Sequence, residues 1–450
     1  MNKEVPKDEL LPAEDCSLKT SSVLVITYYW PPAGGPGVQR WLKFTTYFRE
    51  FGIEPTVYIP ENPHYPLLDE SLLSEIPEGI TIIKQPIKEP YGFAKMFSKK
   101  KTKQVSSGII TNKKQSILEK IMLWIRGNFF IPDARVGWVK PSVTYLEKYI
   151  SENKIDTIIT TGPPHSLHLV GMQLKEKTNV KWLADFRDPW TTIHYHNSLR
   201  LSKNSQKKHK DLEQKVLNKA DQIVVTSQNT KNEFSLLTKK PISVITNGYE
   251  ASDNIHTQLD TQFTLVHIGS LLSNRNPEIL WKVFSEITNS NTGFKTDLQI
   301  KLVGIVGDEI IESIQKYGLT ENCEIVGYVS HQEAIQFQHN AQVLLLVEMD
   351  TPETKAIIPG KLFEYLAARR PVIALGPDGS DVETILTETN SGNYFLYSEE
   401  EKLKTQILTY YEKFKESNLV SESKNITKYS RRELTNRMSE LLLNLKQNPR

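Results

Sequence analysis

The feature that most constrains this chain is a repeated alternation of short apolar runs with longer amphipathic ones. Residues 23–30 form a β-branched apolar run, followed by the breaker cluster 31–37. A helical stripe then carries Val38, Trp41, Leu42 and Phe48, stops at Gly52, and gives way to a second short run at 55–59. The same pattern predicts strands at 156–161, 180–186, 221–227 and 242–246, with helices at 166–177 and 203–219. After a polar stretch at 247–262 it restarts. Strands are predicted at 263–268, 298–303, 323–326, 342–347 and 371–375, with helices at 277–290, 308–317 and 361–368. Runs without two-residue alternation are strands covered on both faces, and strands alternating with helices build parallel sheets. The expectation is therefore an α/β chain of two doubly wound, Rossmann-like domains facing across a cleft. Its units would be a tail at 1–20, a first domain at 21–247, a second at 248–425 and a closing segment at 426–450. That last segment carries a helix stripe of Leu434, Met438, Leu441, Leu442 and Leu445, which must dock on something, here expected to be the first domain.

Composition narrows the function classes. Across 450 residues, 55 Lys+Arg stand against 53 Asp+Glu, a net charge of +2. That excludes a globally basic nucleic-acid binder, so no nucleic-acid partner is expected. Only Cys16 and Cys323 occur, which excludes a disulfide scaffold and a thiolate metal site. The first sixteen residues are charged throughout, without the apolar segment of a secretory leader. The longest apolar runs, such as 343–347, are far short of the ~20 residues that span a bilayer. These features set the expectation of a cytoplasmic protein, at most peripheral on the inner face of the cell membrane.

In open parallel sheets, ligands bind beyond the carboxyl ends of the strands, so the loops there hold the candidates. Gly34, Gly35 and Gly37 follow the first strand and open a helix, where backbone N–H groups can meet an anion. Arg40 stands where a dinucleotide fingerprint needs its third glycine, so the loop is not that motif. His165 and Ser166 end the turn after 156–161; Ser166 could cap the helix and His165 could bond a substrate. Asp185, Arg187, Asp188 and Trp190 crowd the end of an apolar strand. Either Asp185 and Arg187 form a structural ion pair, or Asp188 meets a substrate with Trp190 as its platform; the second is favoured. Gly269 ends the first strand of the second half, and Arg275 follows within reach of a phosphate. Gly360 and Lys361 open a helix, a placement in which a cation opposes the macrodipole unless an anion lies between. Glu364, one turn on, either accepts from ribose hydroxyls or pairs with Lys361. No Asp-x-Asp triplet and no His/Cys cluster with metal spacing occur, so no metal site is expected.

One segment departs from the overall charge balance. Between 95 and 126 stand Lys95, Lys99, Lys100, Lys101, Lys103, Lys113, Lys114, Lys120 and Arg126, against Glu119 alone. Phe97, Met122, Leu123 and Trp124 interleave them, and Phe129 and Phe130 follow. Such a stretch suits an anionic lipid surface; the plainer alternative is a solvated loop.

Two such domains, an early glycine loop, a late Lys and Glu opening a helix, and a terminal helix together resemble the GT-B glycosyltransferases. The chain is similar to glycosyltransferase family 4. Residues 26–41, 161–168, 185–190 and 361–370 look like a subgroup found in bacterial surface-polysaccharide gene sets. The resemblance implies a retaining, metal-independent transferase. It would take a nucleotide-sugar, most simply a UDP- or GDP-sugar, as co-substrate with no other cofactor, and a glycan or lipid-linked acceptor. It implies that the second domain holds the donor. Gly269, Arg275, Gly360 and Lys361 then take the diphosphate, Glu364 the ribose, and Tyr328 and Val329 the base. Ser270 and Ala356 depart from the family pattern, replacing a diphosphate arginine and the first of two glutamates. In the first domain, Asp188 and His165 are the catalytic candidates, with Gly34, Gly35, Gly37, Arg187 and Trp190 lining the cleft. Two other readings stay open: a nucleotide-sugar epimerase of the same fold, and a non-catalytic binding subunit of a polysaccharide assembly complex.

Overall fold

The computed structural model describes residues 21–89, 117–193, 196, 199–250 and 257–447. The tail at 1–20 and the lysine-rich stretch at 95–116 lie outside them. Two parallel sheets dominate. The first has the strands β1 (Ser21–Ile26), β2 (Ile53–Pro60), β3 (Thr81–Gln85), β4 (Thr157–Gly162), β5 (Lys181–Phe186), β6 (Gln222–Val225) and β7 (Ile242–Val244), ordered 3-2-1-4-5-6-7. The second has β8 (Phe263–Ile268), β9 (Leu298–Val303), β10 (Cys323–Gly327), β11 (Val343–Val347), β12 (Val372–Gly376) and β13 (Gly392–Leu396), ordered 10-9-8-11-12-13. Every pairing between these strands is parallel. In both sheets the chain winds outward from one central strand and then crosses to the other side. Each therefore has a switch point, between β1 and β4 and between β8 and β11, where adjacent loops part and leave a crevice.

The helices that cover these sheets in the first domain are α1 (Pro36–Tyr47), α2 (Ile117–Phe129), α3 (Val139–Glu152), α4 (Ser166–Thr178), α5 (Lys203–Lys219) and α6 (Gln228–Ser235). In the second they are α7 (Glu278–Ser290), α8 (Thr292–Asp297), α9 (Asp308–Lys316), α10 (His331–Asn340), α11 (Gly360–Ala368), α12 (Asp381–Thr389) and α13 (Glu400–Lys415). The central strands are apolar because both faces are covered: β11 is buried at all five positions, with layers packed on either side. The last helix, α14 (Arg431–Gln447), returns to the first domain. Its Leu434, Met438 and Leu442 pack with Val23 and Val25 of β1 and with Trp41 of α1. No helix among the described residues is long and apolar enough to cross a membrane.

Several boundaries move for physical reasons. The first run ends as a strand at Ile26, because the following turn leads into the proline-rich loop. Ser227, expected inside a strand, caps α6 by accepting from Thr230 N. Ser166, expected to cap α4, does not: its N–H and hydroxyl both donate to Asp133, at 2.8 and 2.9 Å. The capping carboxylate comes from 33 residues upstream.

Candidate active site

The donor half forms around the switch point of the second sheet. β8 ends at Ile268, and Gly269 follows with φ 97°, a conformation that glycine adopts without strain. A Cβ there would lie 3.2 Å from Lys361 Nζ. α11 begins at Gly360 with Pro359 at its N-cap, no side-chain cap and no acid in its first turn. Its free N–H groups and its Lys361 therefore face the same place. Lys361 Nζ lies 3.2 Å from Nε2 of His267. Burial and the neighbouring Arg275 push the amine down to about 7, against the pull of Glu364. Arg275, in the turn after β8, keeps a buried Nε with no hydrogen-bond partner.

Glu364 does not pair with Lys361. It accepts from Gln338 Nε2 at 2.8 Å, and this bond holds it on the cleft side of α11. Tyr328 follows Gly327 at the end of β10 and is almost fully exposed, while Val329 packs partly into the core. Sequence reasoning missed Glu348, which directly follows β11. Its carboxylate accepts from Ser380 Oγ at 2.9 Å and Tyr394 OH at 2.9 Å. Burial nevertheless pushes it up to about 7, against those bonds and the charge of Arg275. The available signal was a lone acid closing an otherwise apolar run.

The acceptor half forms around the switch point of the first sheet. Gly35 is the N-cap of α1 with φ 104°, and the space beside its Cα is open. Gly34 lies against Leu67, and a Cβ on Gly37 would collide with the Arg187 guanidinium. Arg187 is spent on the main chain: it donates to the carbonyls of Gly162 and Pro163 and faces the Tyr29 ring. The expected alternative of an Asp185–Arg187 pair is not formed. Asp185 instead pairs with Arg40 of α1 at 2.9 Å and accepts from Trp41 Nε1 at 2.9 Å and Thr161 Oγ1 at 2.8 Å. Asp188 is half-buried beside Arg187, whose charge it supports.

Trp190 is not an open platform. It is 1% exposed, its N–H donates to Glu213 at 3.2 Å and its Nε1 to His209 Nδ1 at 3.1 Å. What it supports is His165, stacked on it at 5.0 Å with 1° between the rings. Both ring nitrogens of His165 are buried without partners. Burial, followed by the charges of His168 and Arg187, holds the ring neutral, well below the usual histidine range.

The two halves meet in a cavity of about 230 Å³. Gly35, Gln39 and Arg40 line it from the first domain; His331, Gly360, Lys361 and Glu364 line it from the second. Thr246, Asn247 and Gly248 of the connecting chain, Arg431 and Leu434 of α14 and Phe44 of α1 complete the wall. Of the expected residues, the cavity brings Gly35, Gly360, Lys361 and Glu364 together, while Gly34, Gly37, His165, Arg187, Asp188 and Trp190 of the first domain and Gly269, Arg275, Tyr328 and Val329 of the second lie outside its lining. Gln39, Arg40, His331 and Arg431 were not foreseen. Among the described residues, no group of three His, Cys, Asp or Glu side chains is placed to share a metal ion.

Paired parallel sheets with opposed strand-end loops define the class: a GT-B fold. A glycosyltransferase from Rickettsia africae superposes at a TM-score of 0.60, with 12% identity over 96% of this chain and 100% of its own. Anabaena HepE, solved with UDP and glucose, gives 0.58, with 13% identity over 94% of this chain and 100% of its own. A putative UDP-N-acetylglucosamine 2-epimerase from Listeria monocytogenes gives 0.54, with 12% identity over 96% of this chain and 98% of its own. At such identities these likenesses show the fold alone. Among curated proteins, none matches the sequence. Two sequence-family models each match about a third of the chain. Residues 109–253 match Glycosyltransferase Family 4 and residues 262–413 match Glycosyl transferases group 1. The chain is a glycosyltransferase of the family-4 type.

Proposed function

We propose that the protein is a retaining, metal-independent transferase. It moves a sugar from a UDP- or GDP-sugar to a glycan or lipid-linked acceptor, in bacterial surface-polysaccharide synthesis at the cytoplasmic face of the membrane. The observation that carries the donor assignment is the meeting of Lys361 and Arg275 with the uncapped start of α11, at the switch point of the second sheet. A guanidinium, a lysine amine and free N–H groups gathered at one helix start are costly when empty and suit a diphosphate. As the glycosidic bond breaks, negative charge grows on the departing phosphate. Groups already aimed there stabilise that charge without rearranging, so no metal ion is required. Glu364, held by Gln338, lines the same cavity as Lys361 and accepts from ribose hydroxyls.

On the acceptor side, His165 is neutral, rigidly stacked and has unpartnered nitrogens, so it can accept from a hydroxyl that reaches its buried ring. Asp188 lies on the next strand end. The membrane reading is supported by α2, which exposes Ile121, Met122, Trp124, Ile125 and Phe129. It directly follows the lysine-rich stretch, and apolar side chains beside clustered lysines suit an anionic bilayer.

The test is product analysis with a panel of UDP- and GDP-sugars and a bacterial lipid extract as acceptor, with and without EDTA. The expected result is a new glycolipid with the anomeric configuration of the donor, formed equally in EDTA. Interconversion of the nucleotide-sugar without an acceptor would instead assign epimerase chemistry. Loss of activity in EDTA with rescue by Mg²⁺ would overturn metal independence.

A further inference from the structure

The group that receives the Lys361 amine is the ring of a histidine. His267 is a fully buried member of β8, and its Nδ1 lies 3.0 Å from the carbonyl oxygen of Leu345. A carbonyl can only accept, so Nδ1 carries the hydrogen and Nε2 of the neutral ring presents a lone pair. Lys361 Nζ lies 3.2 Å from that Nε2 and donates to it. Leu345 belongs to β11, so the His267 ring bridges the two strands of the switch point and presents its remaining nitrogen to the amine, with the Ser270 main chain also against the ring.

We propose that His267 is a positioning residue for donor binding: its Nε2 fixes the Lys361 amine at the carboxyl end of β8, and the amine takes up one proton when a diphosphate arrives beside it. The inference rests on the donor reading given above. In the empty site Lys361 has a neutral hydrogen-bond partner and no carboxylate ion pair among the described residues, with Arg275 close by. Burial and that like charge leave the amine near half protonation at neutral pH. A diphosphate brings negative charge to the same spot and restores the ammonium form.

The other ionisable groups around the amine are distinguishable. His267 is held well below its usual range by burial, Lys361 and Arg275, and does not compete for the proton. Glu364 sits on the same helix, and His331, Arg40 and Arg431 line the cavity from α10, α1 and α14. Glu348, behind Arg275, is the group most able to imitate Lys361, because burial brings it to about 7.

The experiment is calorimetry on the whole chain in buffers of differing ionisation enthalpy, with UDP-glucose and, in parallel, GDP-mannose. Their doubly esterified diphosphates have no proton to exchange near neutrality. Wild type should take up close to one proton on binding at about pH 8.5 and almost none at about pH 5.5. Lys361→Met should abolish the uptake and weaken binding by roughly tenfold. His267→Asn keeps a donor for Leu345 but is too short to reach Lys361, and should weaken binding by about fivefold while the thermal midpoint holds. His267→Gln, whose amide oxygen reaches the place of Nε2, should recover most of that loss. Binding without uptake in wild type, uptake that persists in Lys361→Met, or equal affinities of the Asn and Gln variants would overturn the inference and leave the donor reading standing. Failure of wild type to bind either nucleotide-sugar would overturn the donor reading itself.

Discussion

At the residue scale, the first domain stores its polar groups as neutral or paired species around β5. Asp185 is the centre: burial alone would raise its pKa, but Arg40, Thr161 and Arg187 outweigh it and hold the carboxyl below its usual range. Arg40 also donates to the carbonyl of Thr246 at 2.6 Å, so one guanidinium ties β5 to the connecting chain. Removing one partner of such a pair leaves a buried charge, so Arg40→Met should cost about 3–5 kcal/mol. Arg40→Met combined with Asp185→Leu should recover much of it. Urea unfolding measures both, and equal losses for the single and double variants would contradict the pairing.

The neighbouring histidines set the pH dependence. Burial lowers His168 to about 3, and His165 is also held far down. Unfolded, both take protons near pH 6.5, so the unfolded state binds more protons as the pH falls below that value. Stability should therefore decline from about pH 6.5 downward, by up to about 1.4 kcal/mol per pH unit for each buried ring. Asp185 adds its own loss only below about pH 4, where its unfolded form protonates. His168→Asn should flatten the decline between pH 6 and 4 by about one proton, read from urea midpoints across pH. An unchanged slope would mean that His168 does not contribute.

At the element scale, what the sequence makes legible depends on whether the deciding contacts are local. Strands such as Val343–Val347 and Val372–Gly376, buried at every position, stand out as continuous apolar runs. The edge strands Thr81–Gln85 and Gly392–Leu396 do not, because each is polar at alternate or end positions and is half covered. The site divides the same way. Lys361 at a helix start is a local signal, since the macrodipole argument needs only its own helix. Trp190 misled because an aromatic after an apolar strand looks open, while the groups that enclose it, His209 and Glu213, come 19 and 23 residues later. Arg431 was out of reach for the same reason: it bonds Gln39, 392 positions away.

Helix α14 turns such a distant contact into a test. Met438 and Leu442 are buried against the first domain although they belong to the end of the chain. Leu442→Ala should cost about 2–5 kcal/mol, and the loss should appear in the unfolding of the first domain. Trp41, packed in the same cluster, offers the fluorescence reporter. A loss confined to the second domain would contradict the packing.

At the scale of the whole molecule, the domains are joined at two places of different kinds. One is the chain itself. Tyr249 bonds the main chain on either side of Ser430 where the connection leaves the first domain and α14 returns to it: Arg431 N donates to Tyr249 O at 2.9 Å, and Tyr249 N to Tyr429 O at 3.1 Å. The other joins α6 to the start of α12, where Asn229 Nδ2 donates to Gly379 O at 3.0 Å and one carboxylate takes three more bonds. Asp381, in the first turn of α12, accepts from Gln228 N at 3.0 Å, Asn229 N at 3.1 Å and Asn229 Nδ2 at 2.9 Å. It thus closes the start of α6 in the first domain from its place on the second, and two helix N-termini share one negative charge.

The first connection is covalent and hinge-like, whereas the second can be broken. Because Gly35 and Lys361 line the cavity from different domains, the cavity is complete only while the domains stay together. Hydrogen bonds to a charged group contribute about 1.5–3 kcal/mol each, so losing the carboxylate should shift the balance towards an open arrangement by tenfold or more. Asp381→Ala should therefore enlarge the radius of gyration in small-angle scattering. It should also weaken donor binding in proportion to the lost closed fraction, although Asp381 is not among the residues that line the cavity. Saturating nucleotide-sugar should draw the scattering curve back towards that of wild type, because a ligand held by both domains favours their closure. An unchanged radius together with wild-type donor affinity would mean that the domains stay together without the Asp381 carboxylate.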